Sequence, residues 1–366
     1  MRWLMPLVLL EAAICAAAYL ASGLGGSTTD FAVITALVNL MLVLGLYVFT
    51  GLSGVFSFGH IAFMAIGGYV AGLLTIPPVS KEVLLSGLPS FVAHAQLGTI
   101  PATLIGGGVA MVVALVLSLP LSRLDGLAAG LGTFAILIIV HVVASNWQDV
   151  TGGDAGISPI PITTTVTSAL IWVVVAVALI YVLQNLKLGL RLRASREDHV
   201  AAQASGIRVS LDRAIAFGIS GFVLGVGGAL FAQFQGTVSP SAFYLPITFL
   251  TIAMLVVGGT KSLAGAVVGT MLLSVVGEVL RRVESGVDIA GLHVSGRAGV
   301  REVGLAVVMV AVLIFRPQGV TGGREIPWPL RRRSASGTPT EGASPGTDEP
   351  PLGEGDDRES HAKQWG

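Results

Sequence analysis

Seven stretches of this chain stay apolar for about the thickness of a lipid bilayer: 4–21, 31–50, 57–76, 101–121, 127–145, 167–184 and 214–234. A hydrocarbon core about 30 Å thick needs roughly 17–25 such residues per helix. An eighth stretch, 247–277, is too long for one span and is interrupted by Gly258-Gly259-Thr260-Lys261-Ser262, which predicts two short, tilted or partly inserted helices. A last run, 303–315, stops at Arg316-Pro317. The expected fold is therefore all-α: a polytopic membrane protein of about ten transmembrane helices, some short or broken.

Composition agrees and removes other classes. The chain is 53% hydrophobic and 11% charged, where a soluble domain is about a quarter charged. Its 48 glycines lie among Val, Leu and Ala, where small residues let membrane helices approach closely. The single cysteine, Cys15, excludes disulfides and a multi-cysteine metal site. No basic face suits nucleic acid. Paired carboxylates, a nucleophile with a base and a metal-spaced histidine cluster are all missing, so no catalytic residue, metal site or cofactor is expected and the chain is not read as an enzyme. Gly259-Thr260-Lys261-Ser262 superficially resembles a phosphate loop, but such a loop needs Gly directly before Lys after a strand. His141 has no polar context and reads as structural. Glu11 is an intramembrane carboxylate with no nearby partner, read as a helix-contact or snorkelling residue.

Basic residues orient the spans. Six Lys/Arg lie in 187–213, and the tail holds Arg324 and Arg331-Arg332-Arg333; both should be cytoplasmic. Parity then puts Arg123 and Lys261 on the same side, and 77–100, 146–166, 235–246 and 278–302 outside, with both termini inside. The outside loops before 247 hold one basic residue, Lys81, which agrees. Arg2 and the apolar stretch after it outline a signal peptide, but Glu11 interrupts the apolar segment and argues against one. A transmembrane domain is expected over 1–320. The tail, 321–366, is rich in Ser, Gly, Pro and acidic residues, buries little, and should be disordered.

The island 187–213, KLGLRLRASREDHVAAQASGIRVSLDR, is where a membrane protein can meet a soluble partner. Ser195 with Asp198 forms a capping-box pattern, and Gly206 is placed as the stop. The spacing predicts one short helix whose Glu197, Val200, Ala201 and Ala204 share a face. Such a face, small with one carboxylate, suits a groove on another protein; a solvated connecting helix is the plainer alternative.

Here a resemblance enters. Arg193-Ala194-Ser195-Arg196-Glu197-Asp198, Ala201-Ala202, Gly206-Ile207 and Val209, then Ala216-Phe217, resemble the coupling segment of ABC-importer permeases of the branched-chain amino-acid type, LivM subfamily. Val200 stands where the wider coupling motif of ABC importers has Glu, and the usual Leu-Pro does not follow. Gly51-Leu52-Ser53-Gly54-Val55-Phe56-Ser57-Phe58-Gly59-His60-Ile61-Ala62-Phe63 is similar to that family's G-x-x-G-x-x-S-x-G-H-x-x-F signature. Thr151-Gly152-Gly153-Asp154-Ala155-Gly156-Ile157 resembles its T-G-G-x-x-G loop, and Arg316-Pro317-Gln318-Gly319-Val320 its closing motif. The matches run from 51 to 320 in family order.

The resemblance implies a permease subunit of an ATP-driven importer for branched-chain amino acids or a related small solute. It sits in a bacterial or archaeal cell (inner) membrane, and separate subunits hydrolyse the ATP. Implied partners are a homologous second permease, two ABC ATPase subunits, an extracytoplasmic binding protein and membrane lipid. Implied pathway residues are Ser57, Phe58, Gly59, His60, Phe63, Gly152, Gly153 and Asp154. Implied ATPase-coupling residues are Arg196, Glu197, Asp198, Ala201, Ala202 and Gly206. Gly, Ser and His can break a helix and offer polar groups to a cavity. The glycines, Gly68 and Gly72 included, suit helix packing equally well. The alternative function is a self-contained secondary carrier or channel for a small polar solute, which predicts ion-coupling charges or inverted repeats.

Overall fold

The computed structural model describes residues 5–316 and 318–322, except 86, 122, 123, 125, 285, 286, 290, 291 and 295–298. The chain divides into Met1–Pro327 and Trp328–Gly366, and only the first holds described residues. The expectations for Arg2, Arg123, Pro317 and the tail from 323 onward lie outside the described residues.

The described residues form a polytopic all-α membrane protein. Its helices are α1 Met5–Leu46, α2 Ile61–Thr75, α3 Pro78–Leu84, α4 Ser90–Ala93, α5 Thr99–Leu121, α6 Gly126–Asn146 and α7 Gln148–Thr151. They continue with α8 Val166–Asn185, α9 Lys187–Glu197, α10 His199–Ala204, α11 Val209–Gln235, α12 Leu245–Gly258, α13 Leu263–Glu284 and α14 Val300–Phe315. A hairpin of β1 Val287–Ile289 and β2 Leu292–Val294 pairs Val287 with Val294. Seven helical segments are long and apolar enough to cross a bilayer, and Leu7–Gly23 and Ile61–Thr75 are shorter apolar helices.

The first two apolar runs form two helical arms within α1, separated at Gly26, whose backbone (φ 67°, ψ −159°) is not helical. The arms fold back, since Ala17, Ala18 and Ala21 share a groove with Thr29, Ala32 and Val33. Two other expectations about helices change. Stretch 247–277 holds one short helix, α12, and one of full length, α13, which continues past 277 to Glu284. Finally, the island carries two helices rather than one. Asp198, not Ser195, is the N-cap of the second: its carboxylate accepts from the Val200 and Ala201 N–H groups, both 2.9 Å. Ser195 is buried inside α9 and donates to the Leu192 carbonyl. The capping pattern marked the right neighbourhood but the wrong residue, because Leu192 and Ser195 bury one face and carry α9 past the serine.

The second arm of α1 runs through the core, with Leu40, Leu42, Val43 and Leu44 wholly buried. Beside it α2, α5 and α11 cross almost backbone to backbone. A Cβ on Gly67 would stand 2.2 Å from the Gly225 carbonyl oxygen, and one on Gly228 1.9 Å from that of Met64. Without Cβ atoms these crossings gain dispersion contact along the whole line, the main attraction between helices in lipid. Outward faces stay apolar, as at Leu119, Leu127 and Ile139. Water would penalise such a surface; lipid does not.

Contacts sort the loops into two ends. At one, Gly87 N donates to Asp149 O, Ile157 and Val238 exchange backbone bonds, and Ile160 N donates to Gly236 O. Lys81 is fully buried there and donates to the Val92 and Ala95 carbonyls; burial holds its ammonium below the usual lysine range. At the other end the island meets the end of α1, and Val320 N donates to Val257 O at 2.8 Å. Gly319 (φ 78°) lies so close to Gly259 that a Cβ would be 2.6 Å from its Cα. The closing motif thus clamps the turn between α12 and α13. In that turn Ser262 Oγ accepts from Gly265 N at 2.9 Å, so Gly259-Thr260-Lys261-Ser262 is a helix start and not a phosphate cradle.

Candidate functional site

The Gly51–Phe63 signature forms a break in the helical path. After α1 the chain winds as a π turn, Tyr47–Gly51, a wider turn found often at functional positions. Ser53 Oγ donates to Phe49 O at 2.7 Å, and Gly54 takes a left-handed φ of 76°. Residues 54–58 are non-helical until α2 begins at Ile61. Such backbone needs outside partners at membrane depth, and α6 supplies them. Phe58 N donates to Thr133 Oγ1 at 3.0 Å, which in turn donates to Gly130 O at 2.7 Å. Gly59 rests on the Thr133 backbone, where a Cβ would come within 1.7 Å of the carbonyl oxygen. Its glycine is therefore required for packing, so a large residue there would test the fold before any pathway.

Polar atoms collect at this break. His60 Nδ1 lies 2.9 Å from the Ser57 carbonyl and must donate to it. In a neutral ring Nε2 is then an acceptor, and it is buried without a partner, as are Ser57 Oγ and Thr50 Oγ1. An unmet buried polar group costs about 1–3 kcal/mol, and three of them lie within residues 50–60 with no partner among the described residues. Phe63 differs: it is buried edge-on to Phe217, ring centroids 5.2 Å apart, and belongs to the core.

The second signature lies elsewhere. Gly152, Gly153 and Gly156 all have positive φ, between 60° and 74°, which explains their spacing. They fold the loop back onto 236–239 through Ile157 and Val238. Asp154 is exposed at its tip. This loop comes after the end of α6, whereas Phe58 and Gly59 contact Thr133 in the first half of that helix. From Thr133 to the end of α6 is roughly 20 Å along the helix, so the two signatures lie well apart.

The island is seated on the break. Arg196 is turned inward, its guanidinium donating to Gly51 O at 2.7 Å at the end of the π turn, with its stem in the space left by Gly54. Arg193 donates to the Gln184 backbone carbonyl, and the Gln184 side chain accepts from Tyr47 Oη at 3.0 Å. Two links therefore join α9 to the π turn. α10 faces the other way. Val200 is 75% exposed, and Glu197, Ala201 and Ala204 are exposed with it. Ala202 points inward and is buried. Gly206 (φ 81°) closes α10, its N–H donating to Gln203 O and that of Ile207 to Ala202 O, the paired bonds of a Schellman stop. Six residues fixed at both ends thus hold an uncovered, mostly small face. A groove with about 1110 Å³ of empty space separates this helix pair from the break and the start of α6, bordered by Phe56, Phe58, Leu127, Arg196, His199 and Arg213.

His141 stacks on Tyr244 with centroids 4.0 Å apart, in keeping with a structural role. Reading the sequence alone missed the inward turn of Arg196, and it missed Asn39 and Arg301, which have no partner among the described residues. A lone Asn within an apolar run was the available signal for one of them.

Known proteins resemble the chain over most of its length. The family described as the permease component of branched-chain amino acid transport systems matches residues 28–315. The high-affinity branched-chain amino acid transport system permease protein LivM of Escherichia coli is 28% identical, over 80% of this chain and 69% of its own. LivM of Salmonella typhimurium shows the same identity and coverage. The LivH permease of Salmonella typhimurium is 23% identical, over 78% of this chain and 92% of its own. No solved structure matches.

Proposed function

The chain belongs to the family of permease components of branched-chain amino acid transport systems, and on that premise we propose that it is the membrane subunit of an ATP-driven importer of branched-chain amino acids or a related small solute. ATP is hydrolysed on two separate ATPase subunits. A homologous second permease and an extracytoplasmic binding protein complete the assembly in the cell membrane. The observation that carries this reading is the uncovered α10 face held over the break by Arg196. A helix docked to an ATPase in this way passes movement directly to the π turn and to the polar atoms of Ser57 and His60. The island and the α12–α13 turn face the cytoplasm; the loops around Lys81, Asp154 and Val238 face outward.

The test is reconstitution with the partner subunits in liposomes. Uptake of L-leucine, L-isoleucine or L-valine should require ATP and survive collapse of ion gradients. Uptake by this chain alone, driven by an ion gradient, would establish a secondary carrier instead. Sidedness is checked with single cysteines in a Cys15→Ala background. Ser90→Cys and Asp154→Cys should react with an impermeant thiol reagent added outside, and Ser205→Cys only after permeabilisation. External labelling of Ser205→Cys would reverse the orientation.

A further inference from the structure

At the end opposite the island, a cleft with about 1130 Å³ of empty space opens between α1, α11, α12 and α14, and it continues into a narrower space beside α13. Phe31, Thr35, Asn39, Leu250, Arg301 and Leu305 border both spaces, so the two adjoin. The walls of the cleft are mainly apolar, with Phe31 packed on Phe234 at 4.8 Å between centroids and Ile247 and Leu250 beside them.

The polar groups in this cleft are unevenly used. Thr35 donates to the Phe31 carbonyl. Arg281 is taken up by Glu278 at 2.8 Å. Arg301, half-buried in the first turn of α14, has no partner among the described residues, nor has Asn39, roughly 12 Å deeper along α1 than Phe31. Glu302, beside Arg301 at the rim, is likewise unpaired. Deep in the narrow part Ser274 Oγ is buried without a partner. Arg301 and Asn39 are only partly buried, so both remain open to a polar partner that enters the cleft.

We propose that this cleft is an outward-facing subsite for the translocated solute, an α-amino acid with a branched apolar side chain. The proposal rests on the importer reading above. The solute's carboxylate takes the Arg301 fork, its ammonium donates to the Asn39 carboxamide oxygen and the Glu302 carboxylate, and its side chain lies on Phe234, Ile247 and Leu250. A lipid fits less well: its phosphate would suit Arg301, but its chain would then cover Asn39 at the depth where lipid offers no acceptor.

The test uses the complete transporter in liposomes with its binding protein, on the Cys15→Ala background, and L-leucine as the probe. Arg301→Ala and Asn39→Leu should each lower leucine uptake by about tenfold or more, and Arg301→Lys should restore part of the loss. Independently of activity, Leu250→Cys should be modified from outside by an impermeant thiol reagent, and leucine should slow that modification where glycerol does not. Normal uptake in both variants, or labelling that leucine leaves unchanged, overturns the subsite. Protection by added phospholipid but not by leucine also overturns it, in favour of a lipid site. If the unmodified transporter carries no branched-chain amino acid at all, the importer reading fails instead.

Discussion

Gly67→Leu is expected to leave almost no monodisperse protein after detergent extraction, while Gly108→Leu, in the facing helix, yields normal amounts. The positions differ in what a side chain would meet. A Cβ at Gly67 stands 2.2 Å from the Gly225 oxygen and 2.4 Å from its Cα, and Gly106 presses on the Gly67 carbonyl from the other side. Overpacking costs about 1–3 kcal/mol even where side chains can shift. Here the obstacle is the Gly225 backbone itself, so α2 and α11 must separate. Gly108 has nothing within 4 Å of its Cβ position, and leucine there improves helix propensity by up to about 1 kcal/mol. Equal yield and equal melting temperature for the two variants would refute this account of the core.

The second large effect concerns coupling. Ala201→Trp should prevent the ATPase subunits from co-purifying, because it puts a large ring on the exposed face of α10. Arg196→Met should leave them attached and still reduce substrate-stimulated ATP hydrolysis and uptake by about tenfold or more. The guanidinium bond to Gly51 is charge-assisted, worth about 1.5–3 kcal/mol where desolvated, and methionine keeps the apolar stem against Gly54 while losing that bond. The split is the informative part. On the proposed importer reading, one variant breaks docking and the other breaks transmission from α9 to the π turn. If Arg196→Met couples normally, the bond to Gly51 only seats the loop; if Ala201→Trp retains its ATPase, the docking face lies elsewhere.

These residues show how differently features can be read. Gly206 was recognisable as a helix stop because the constraint is local: a left-handed φ with a small polar helix before it. Ser195 was misread because Ser-x-x-Asp describes both a serine cap and a helix that begins at the aspartate. The burial of Leu192 and Ser195 against neighbouring spans decided between them. Arg196 is a coupling residue by resemblance alone, and only the position of Gly51, 145 residues away, turns it inward. Gly59 and His60 shared one motif, yet the first packs on Thr133 and the second leaves a ring nitrogen unmet.

What the sequence determined by itself is everything that transfer from water to lipid settles residue by residue along a run: the apolar segments, the polar island between two of them, and membership in an all-α membrane class. That free energy is a local sum and needs no partner. What the tertiary structure decided is everything that depends on which backbone lies across from which. Gly67 against Gly225, the folding back of α1 at Gly26, the seat of Arg196 on the π turn, and the meeting of Asn39 and Arg301 at one cleft are all of this kind. Apolar residues of similar hydropathy contribute alike to insertion, but close packing distinguishes them by shape and position, and those are set only once the helices have met.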